Sequence, residues 1–193
     1  MTRRPVDVAF TPAVRAAQAR KGSHVIYEGM EMGQSLEDLA PFIAGVRSFY
    51  LATASAEGQP YIQHRGGPPG FLRVVDAKTL AFTDLPGNRQ FISVGNLAQD
   101  DRVALILVDY AHRHRMKLLG RLAVQESPGT GRTERAMTIH VEAFDWNCPK
   151  YITPRYTEDE VAQRIRDAIR EQVETDSWGS PGSEEPVGSG ELA

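Results

Sequence analysis

Alternation of apolar and polar residues dominates the middle of the chain and predicts strands that are buried on one face. The clearest case is residues 115–125, whose apolar face carries Met116, Leu118, Gly120, Leu122 and Val124. The opposite face carries three cations, Arg115, Lys117 and Arg121. Further strands are predicted at Ser48–Ala54, Tyr61–Arg65, Leu80–Thr83, Arg102–Val108 and Met137–Ala143. The continuous apolar run within Arg102–Val108 is typical of a strand covered on both faces.

Helical spacing of apolar residues occurs in shorter stretches between and beyond these strands. Helices are predicted at Pro12–Arg20, at Ser35–Val46 (starting at Ser35 or Asp38), at Asn88–Leu97 and after Thr157. Asn88 is the predicted N-cap of the third helix, which places Arg89 and Gln90 in its first turn. Thr157 and Glu160 form a capping box, and one face of the helix that follows carries Val161, Ile165, Ile169 and Val173.

Strands that outnumber the helices between them predict the α+β class, mainly β, with an antiparallel barrel or a strongly curled sheet. We expect an N-terminal extension over residues 1–35, a strand-rich body over 36–156, a helix over 157–175 and a flexible tail over 176–193. The tail is rich in Gly, Ser, Pro and Glu, so it cannot bury enough apolar surface to offset the entropy of ordering it.

Composition excludes several classes of function. A net charge of −3 over 193 residues argues against a nucleic-acid-binding protein that relies on a general basic field. A single cysteine excludes an intramolecular disulfide framework and a cysteine-based zinc site. No apolar run approaches the ~20 residues of a membrane span, and no secretory signal follows Arg3 and Arg4. We therefore expect a cytoplasmic protein that binds neither nucleic acid nor membrane.

The first candidate site is a strand end that carries a His-Arg pair and runs into glycines. His64 and Arg65 precede Gly66 and Gly67 in the sequence QHRGGPPG. Glycine lets a backbone approach a ligand closely, and the planar guanidinium of arginine can hold a phosphate or a flavin-like carbonyl. A turn that needs glycine beside a solvated Arg65 is the alternative.

The second candidate lies where a predicted strand passes through a turn into the helix at Asn88. Phe82 and Thr83 end that strand, and Arg89 and Gln90 follow the cap. The free N–H groups of a helix N-terminus attract an anion, whereas a cation there opposes the helix dipole unless an anion is bound. An ordinary Asn cap beside an exposed arginine is the alternative.

The cationic face of residues 115–125 is the third candidate. Arg115, Lys117 and Arg121 could converge with Arg65 on one anionic ligand, or they could form a solvated outer face of the sheet.

Metal and nucleophile chemistry has little support in the sequence. His112 and His114 share a face but have no third ligand nearby, which favours a solvated bend over a metal site. Cys148 has no catalytic base beside it, which favours a packed thiol over a nucleophile. No metal site is therefore predicted.

The order of these motifs resembles one known family, the pyridoxamine 5′-phosphate oxidase-like FMN-binding split barrels. The resemblance rests on FYLATASAEGQPYIQHRGGPPGFLRVVDAKTLAFTDLPGNRQFISVGNLAQDDRVALILVDY, followed by RMKLLGRLAV. A WNCP segment at Trp146–Pro149 is similar to that of the family's flavin-nucleotide-binding branch. The resemblance implies a six-stranded antiparallel split barrel with flanking helices, which forms a homodimer with FMN at the interface. It also implies an FMN-dependent oxidoreductase acting with a small-molecule substrate or electron donor.

The resemblance also implies which residues bind the cofactor. The strand that ends in Arg65, together with the glycines that follow it, would contact the flavin ring and ribityl chain through His64, Arg65, Gly66 and Gly67. Residues near the ribityl phosphate would be Phe82 and Thr83, and those that hold the phosphate would be Asn88, Arg89 and Gln90. Arg115 and Lys117 would reach the ligand from the facing subunit. No catalytic residue is implied.

The chain departs from the family pattern at two places. Gln90 stands where many members have a lysine, and Lys117 could replace the missing cation. Trp146–Tyr156 stands where true pyridoxamine 5′-phosphate oxidases carry a motif rich in Arg, His and Asp, so oxidation of that substrate is not expected. The alternatives are a non-catalytic module that binds or senses flavin, and a split barrel that binds haem or a deazaflavin.

Overall fold

A computed structural model describes residues 8–24, 35–85, 87–126 and 135–178. Its strands are β1 (Ser48–Ala54), β2 (Pro60–Gly66), β3 (Arg73–Asp76), β4 (Thr79–Asp84), β5 (Arg102–Asp109), β6 (His114–Glu126) and β7 (Arg135–Asn147). Its α-helices are α1 (Pro12–Lys21), α2 (Ala40–Gly45), α3 (Ile92–Leu97) and α4 (Glu158–Trp178), with a 3₁₀ turn at Glu37–Leu39. Contacts divide the chain into a strand-rich unit that ends at Thr153 and a second unit that begins at Pro154.

All the strands in the described residues belong to one antiparallel sheet in the order β2-β1-β5-β6-β7-β4-β3. β1 and β4 each lie next to an edge strand at opposite ends of this sheet, yet the rings of Phe49 and Phe82 are 5.2 Å apart. The sheet therefore curls until its two ends face each other. This is a barrel whose last gap is not closed by strand hydrogen bonds, and the predicted class, α+β and mainly β, is confirmed.

The core is formed by the inward face of this curled sheet. Inward positions alternate as predicted, and fully buried examples are Met116, Leu118, Met137, Ile139 and Val141. The prediction that Arg102–Val108 is covered on both faces is wrong within one chain. Val103, Leu105 and Leu107 are buried, but the residues between them are only half-buried. β5 therefore has one inward face and one outer face.

The sheet has seven strands in the described residues where six were predicted. The additional strand, β3, pairs with β4 around the turn at Ala77–Lys78, with a register shift between Val74 and Asp76. It has only four residues, with Arg73 and Asp76 at its ends. A strand that is so short and so polar has too little alternation to be recognised from sequence.

The predicted start of the helix at Asn88 is wrong. α3 begins at Ile92, and its N-cap is Phe91, whose backbone is left-handed with φ 55°. The side-chain oxygen of Asn88 instead accepts a hydrogen bond from the Gln90 N–H at 3.2 Å, which closes a local turn. Such side-chain hydrogen bonds compete with helix formation. Arg89 and Gln90 therefore lie in a turn before the helix.

The second unit contains α4. Its predicted capping box is confirmed, because the Thr157 N–H donates to Glu160 at 2.7 Å and the Glu160 N–H donates to the Thr157 hydroxyl at 3.3 Å. α4 continues to Trp178, three residues into the predicted tail, and residues 179–193 lie outside the described part. Residues 1–7 and 25–34 of the predicted extension also lie outside it. No helix in the described ranges has the length and apolar character of a membrane span.

Candidate functional site

A small cavity lies where the two ends of the curled sheet meet. Its lining comes from β2, the end of β4, the turn before α3, α3 itself and the first residue of β7. The cavity volume is about 60 Å³. Pockets that enclose a drug-sized ligand have roughly 300–1,000 Å³. The cavity of one chain is therefore too small to enclose a ligand of that size.

A buried ion network joins the two ends of the sheet inside this cavity. Asp84 and Arg135 are direct partners in the β4–β7 register, and Arg135 Nε donates to Asp84 Oδ2 at 3.1 Å. Arg65, at the end of β2, donates from Nη1 to the other carboxylate oxygen. The side chains of Arg65, Asp84 and Arg135 are only 13%, 4% and 7% exposed. Asp84 therefore holds two guanidinium groups next to each other across the gap between β2 and β4.

The charges around the cavity do not balance. The charged residues in its described lining are Arg65, Arg89, Arg135 and Asp84, with a formal sum of +2. Arg89 is exposed, so the three largely buried groups carry a sum of +1. In addition, Arg65 Nε is buried and has no hydrogen-bond partner in the described structure. An unpaired buried donor and uncompensated buried charge both cost free energy. An anionic ligand would offset both costs.

The turn that covers the cavity has an unusual backbone. Arg89 and Phe91 have φ values of 61° and 55°, in the left-handed region. This conformation costs a residue other than glycine roughly 1–2 kcal/mol, and such residues concentrate at functional sites. The turn brings the Phe91 ring to 5.0 Å from the Arg135 guanidinium carbon, within the range of a cation–π contact.

Side-chain hydrogen bonds fix α3 to the first two strands. The buried Ser93 hydroxyl donates to the Gln63 side-chain oxygen at 2.7 Å. Asn96 Nδ2 donates to the Thr53 hydroxyl at 3.0 Å. These bonds hold a six-residue helix, and the turn before it, against the sheet.

Some of the residues predicted from the sequence meet at the cavity and others do not. Arg65, Asn88 and Arg89 are in its described lining. The predicted residues that are not in it are His64, Gly66, Gly67, Phe82, Thr83, Gln90, Arg115 and Lys117. Phe82 is buried in the core against Phe49, 3% exposed, so it packs the barrel rather than contacting a ligand on this side.

Packing within the chain accounts for Gly66, the last residue of β2, and for Gly67 after it. A Cβ on Gly67 would lie 2.7 Å from Phe71 Cβ, and a Cβ on Gly66 would lie 3.0 Å from the His64 ring. His64 is on the other face of β2 from Arg65, and its ring is 5.6 Å from that of Tyr50. The close approach at Gly67 is therefore to Phe71.

The cationic face of β6 divides into separate environments. Arg121 forms ion pairs with Asp101 at 2.6 Å and Glu142 at 3.1 Å. The hydrogen bond that Arg121 donates to Glu142 and the negative charge of Asp101 raise the pKa of Arg121. Arg115 is half-buried with its Nε unpartnered in the described structure, while Lys117 is exposed. These cations do not join Arg65 within one chain.

The histidines and the cysteine contribute no metal cluster. His112 contacts Asp109 through its ring Nδ1 at 2.8 Å and through its backbone N–H at 3.0 Å. Partial burial raises the pKa of Asp109, but these hydrogen bonds outweigh it, so the pKa is lowered. Within the described ranges no three ligating side chains come together. Cys148 is exposed, so the prediction of a packed thiol is wrong.

Sequence reasoning missed Arg135 and did not use Asp84, although a signal for both was present. Met137, Ile139 and Val141 alternate on the inward face of β7, and the same alternation extended backwards places Arg135 on that face. Asp84 likewise follows the inward Phe82 on β4. A charged residue at a core-facing position requires a partner.

A comparison with protein families identifies the chain. The model described as pyridoxamine 5′-phosphate oxidase matches residues 35–143, more than half of the sequence. The chain belongs to this family. Members of the pyridoxamine 5′-phosphate oxidase family bind flavin nucleotides and include oxidoreductases. The matched region contains the whole described lining of the cavity and ends before Trp146–Tyr156.

Similar solved structures share low sequence identity with the chain. HupZ of Group A Streptococcus is 17% identical over 66% of this chain and 100% of that one, with a TM-score of 0.46. An F420 reductase is 17% identical over 60% and 98%, with a TM-score of 0.43. A Clostridium acetobutylicum protein related to general stress protein 26 is 14% identical over 65% and 95%, with a TM-score of 0.43. No curated protein sequence matches the chain.

Proposed function

We propose that this protein binds FMN with the phosphate in the cavity between β2, β4 and β7. The observation that carries the proposal is the excess of positive charge contributed by Arg65, Arg89 and Arg135 around one buried carboxylate. A phosphate monoester carries about −1.5 to −2 charges at pH 7 and offers three strong acceptor oxygens. Membership in a family that binds flavin nucleotides supports FMN over other phosphate esters.

In this proposal the chain contributes binding, orientation and charge. Arg65 and Arg89 hold the phosphate, and Asn88 closes the turn that carries Arg89. Bound FMN would supply the hydride or electron transfer of an oxidoreductase. Pyridoxamine 5′-phosphate is not the substrate in this proposal, because the segment Trp146–Tyr156 offers only Lys150 and Arg155 as cations for a substrate phosphate.

We also propose that the functional unit is a homodimer. The cavity of one chain has about 60 Å³, so the flavin ring needs further walls beyond those that line the phosphate. A second copy would supply them, and a two-fold dimer would build two equivalent sites. Arg115 and Lys117, which do not line the cavity of their own chain, are then proposed to reach the ring from the partner.

The test compares FMN with riboflavin, which lacks the phosphate. The first measurement is the absorption spectrum of the purified protein and the identity of any flavin released on denaturation. Replacing Arg89 by Ala should then weaken FMN by roughly 1.5–3 kcal/mol, the value of a lost hydrogen bond to a charged group, and leave riboflavin nearly unchanged. Arg121→Ala is the matched control, because Arg121, like Arg89, is an exposed arginine but lies outside the cavity lining. Equal losses for both ligands would contradict the phosphate assignment.

A further inference from the structure

We propose that Arg135 is a third phosphate-binding cation of this site and that Asp84 is a positioning residue that adjusts the site to a dianionic phosphate. The inference rests on the proposed function and deepens it. Arg135 lies outside the sequence segments that carry the family resemblance, and Asp84 lies within them but was assigned no role there. Both residues occupy core-facing strand positions.

The first step is geometric. Each oxygen of the Asp84 carboxylate accepts from a different arginine, Oδ1 from Arg65 and Oδ2 from Arg135. These arginines come from strands that belong to different parts of the sheet, β2 at one edge and β7 next to β4. Asp84 therefore fixes the separation and orientation of two cations before any ligand arrives, which lowers the entropy cost of binding.

The second step is the charge of the site. Arg65, Arg89 and Arg135 with Asp84 give a formal charge of +2, which matches a fully ionised phosphate monoester. Without Arg135 the sum would be +1, and without Asp84 it would be +3. Arg135 uses Nε for Asp84, and a guanidinium has four further N–H donors for a ligand.

The third step concerns the Phe91 ring over Arg135. The ring centroid is 5.0 Å from the guanidinium carbon, and Phe91 reaches this position with a left-handed backbone at φ 55°. This cation–π contact favours the guanidinium in its position beside the ring. The strained turn thus carries Arg89 and also restrains Arg135.

The fourth step is a pH dependence that comes from the ligand. The charged groups that face the phosphate are Arg65 from β2, Asp84 from β4, Arg89 from the turn and Arg135 from β7. No histidine or cysteine is among the described lining residues. The second pKa of a phosphate monoester is about 6, so between pH 8 and 5 the dianion becomes a monoanion. FMN affinity should therefore fall over this range, while riboflavin affinity stays flat.

The experiment titrates flavin-free protein with FMN and with riboflavin between pH 5 and 8, following flavin fluorescence. Wild type should lose about tenfold in FMN affinity on acidification and less than twofold for riboflavin. Arg135→Gln should bind FMN about 10- to 100-fold more weakly at pH 8, with a flatter pH profile and unchanged riboflavin binding. Arg121→Gln, the surface control, should behave as wild type.

Asp84→Asn separates positioning from charge. It raises the formal charge of the site, so a site that worked by charge alone would gain FMN affinity. A site in which Asp84 positions two arginines should lose it, with riboflavin binding retained as evidence of an intact fold. Arg135→Lys is the conservative variant if the others fail to fold, and it should weaken FMN several-fold because lysine lacks the planar fork.

The outcomes distinguish this inference from the proposed function. Wild-type protein that does not prefer FMN to riboflavin would overturn the phosphate site itself. Preference in wild type, combined with unchanged FMN affinity in Arg135→Lys and Arg135→Gln, would overturn only the role of Arg135. Tighter FMN binding by Asp84→Asn would overturn the positioning role of Asp84. An FMN affinity that does not change between pH 5 and 8 would overturn the preference for the phosphate dianion.

Discussion

Arg89 combines a left-handed backbone, at φ 61°, with a charge beside a site that is already positive. Arg89→Gly should relieve the backbone cost and raise the free energy of unfolding by about 0.5–1 kcal/mol, net of the entropy that glycine loses on folding. The same variant should weaken FMN as much as Arg89→Ala, which keeps the strain. Chemical denaturation and FMN titration of both variants check this.

Arg113 provides the control for Arg89, because its φ is 58° and it does not line the cavity. Arg113→Gly should stabilise the fold by a similar amount without changing FMN affinity. If Arg89→Gly were no more stable than Arg89→Ala, the backbone at Arg89 would not be strained. The left-handed turn would then not lower the stability of the fold.

Residue by residue, local motifs predicted only part of the candidate site. Arg65, Asn88 and Arg89 were found because arginine and asparagine beside a turn are a local signal. Arg135 is 51 positions from Asp84 and belongs to an apolar strand, so only its inward register and the pairing of β4 with β7 connect the two. The local sequence shows the inward register of Arg135, but it does not show that β4 pairs with β7.

At the scale of elements, long alternating segments were predictable and short ones were not. β1 was predicted with its observed ends, and β6 and β7 were found within a few residues because their inward apolar positions repeat over many residues. β3 has four residues and α3 has six, too few for periodicity to decide. The start of α3 was misplaced because Asn88 offers its side chain to the Gln90 N–H, which is a turn and not a cap.

The irregular pairing of β6 with β7 gives a prediction about Gly120. The register shifts between Leu119 and Gly120, and a Cβ on Gly120 would lie 2.3 Å from the His140 carbonyl oxygen. Because that atom is backbone in the neighbouring strand, the clash cannot be relieved by a side-chain rotation. Gly120→Ala should lower the free energy of unfolding by about 3 kcal/mol, the upper end of the usual cost of overpacking.

Thermal or urea unfolding measures this effect, with Gly95→Ala as the matched control. Gly95 lies inside α3 with open space around its Cα, so alanine there should stabilise the protein by up to about 1 kcal/mol through helix propensity. A neutral Gly120→Ala would mean that β6 and β7 can separate at the bulge, and the inward register of the two strands would then not be fixed there.

At the scale of the whole molecule, the site exists because the sheet curls. Arg65 comes from one edge strand, while Asp84 and Arg135 come from strands near the other edge, and only closure of the barrel brings them together. No local pattern contains this long-range contact. The family resemblance implied the barrel, whereas the ion network between its two ends is visible only in the folded chain.

The proposed homodimer would use an apolar surface on the outer face of the same sheet. An apolar row crosses β2, β1, β5 and β6 through consecutive cross-strand partners. It consists of Ile62, Ala52, Ala104 and Leu119, one on each strand in that order. Ile62 is 61% exposed and the other three are not fully buried. A contiguous apolar row on the surface is typical of an interaction site.

Ile62→Glu and Ala104→Glu should therefore produce monomers that bind FMN weakly, because each buries an unpaired charge if the row packs against a second copy. Val75→Glu is the matched control, since Val75 is 59% exposed on β3, at the other edge of the sheet.

Sedimentation at micromolar concentration, followed at a flavin wavelength, gives the oligomeric state and the bound cofactor together. A wild-type monomer loaded with flavin would rule out the dimer. Dimeric Ile62→Glu and Ala104→Glu would instead place the interface elsewhere on the chain.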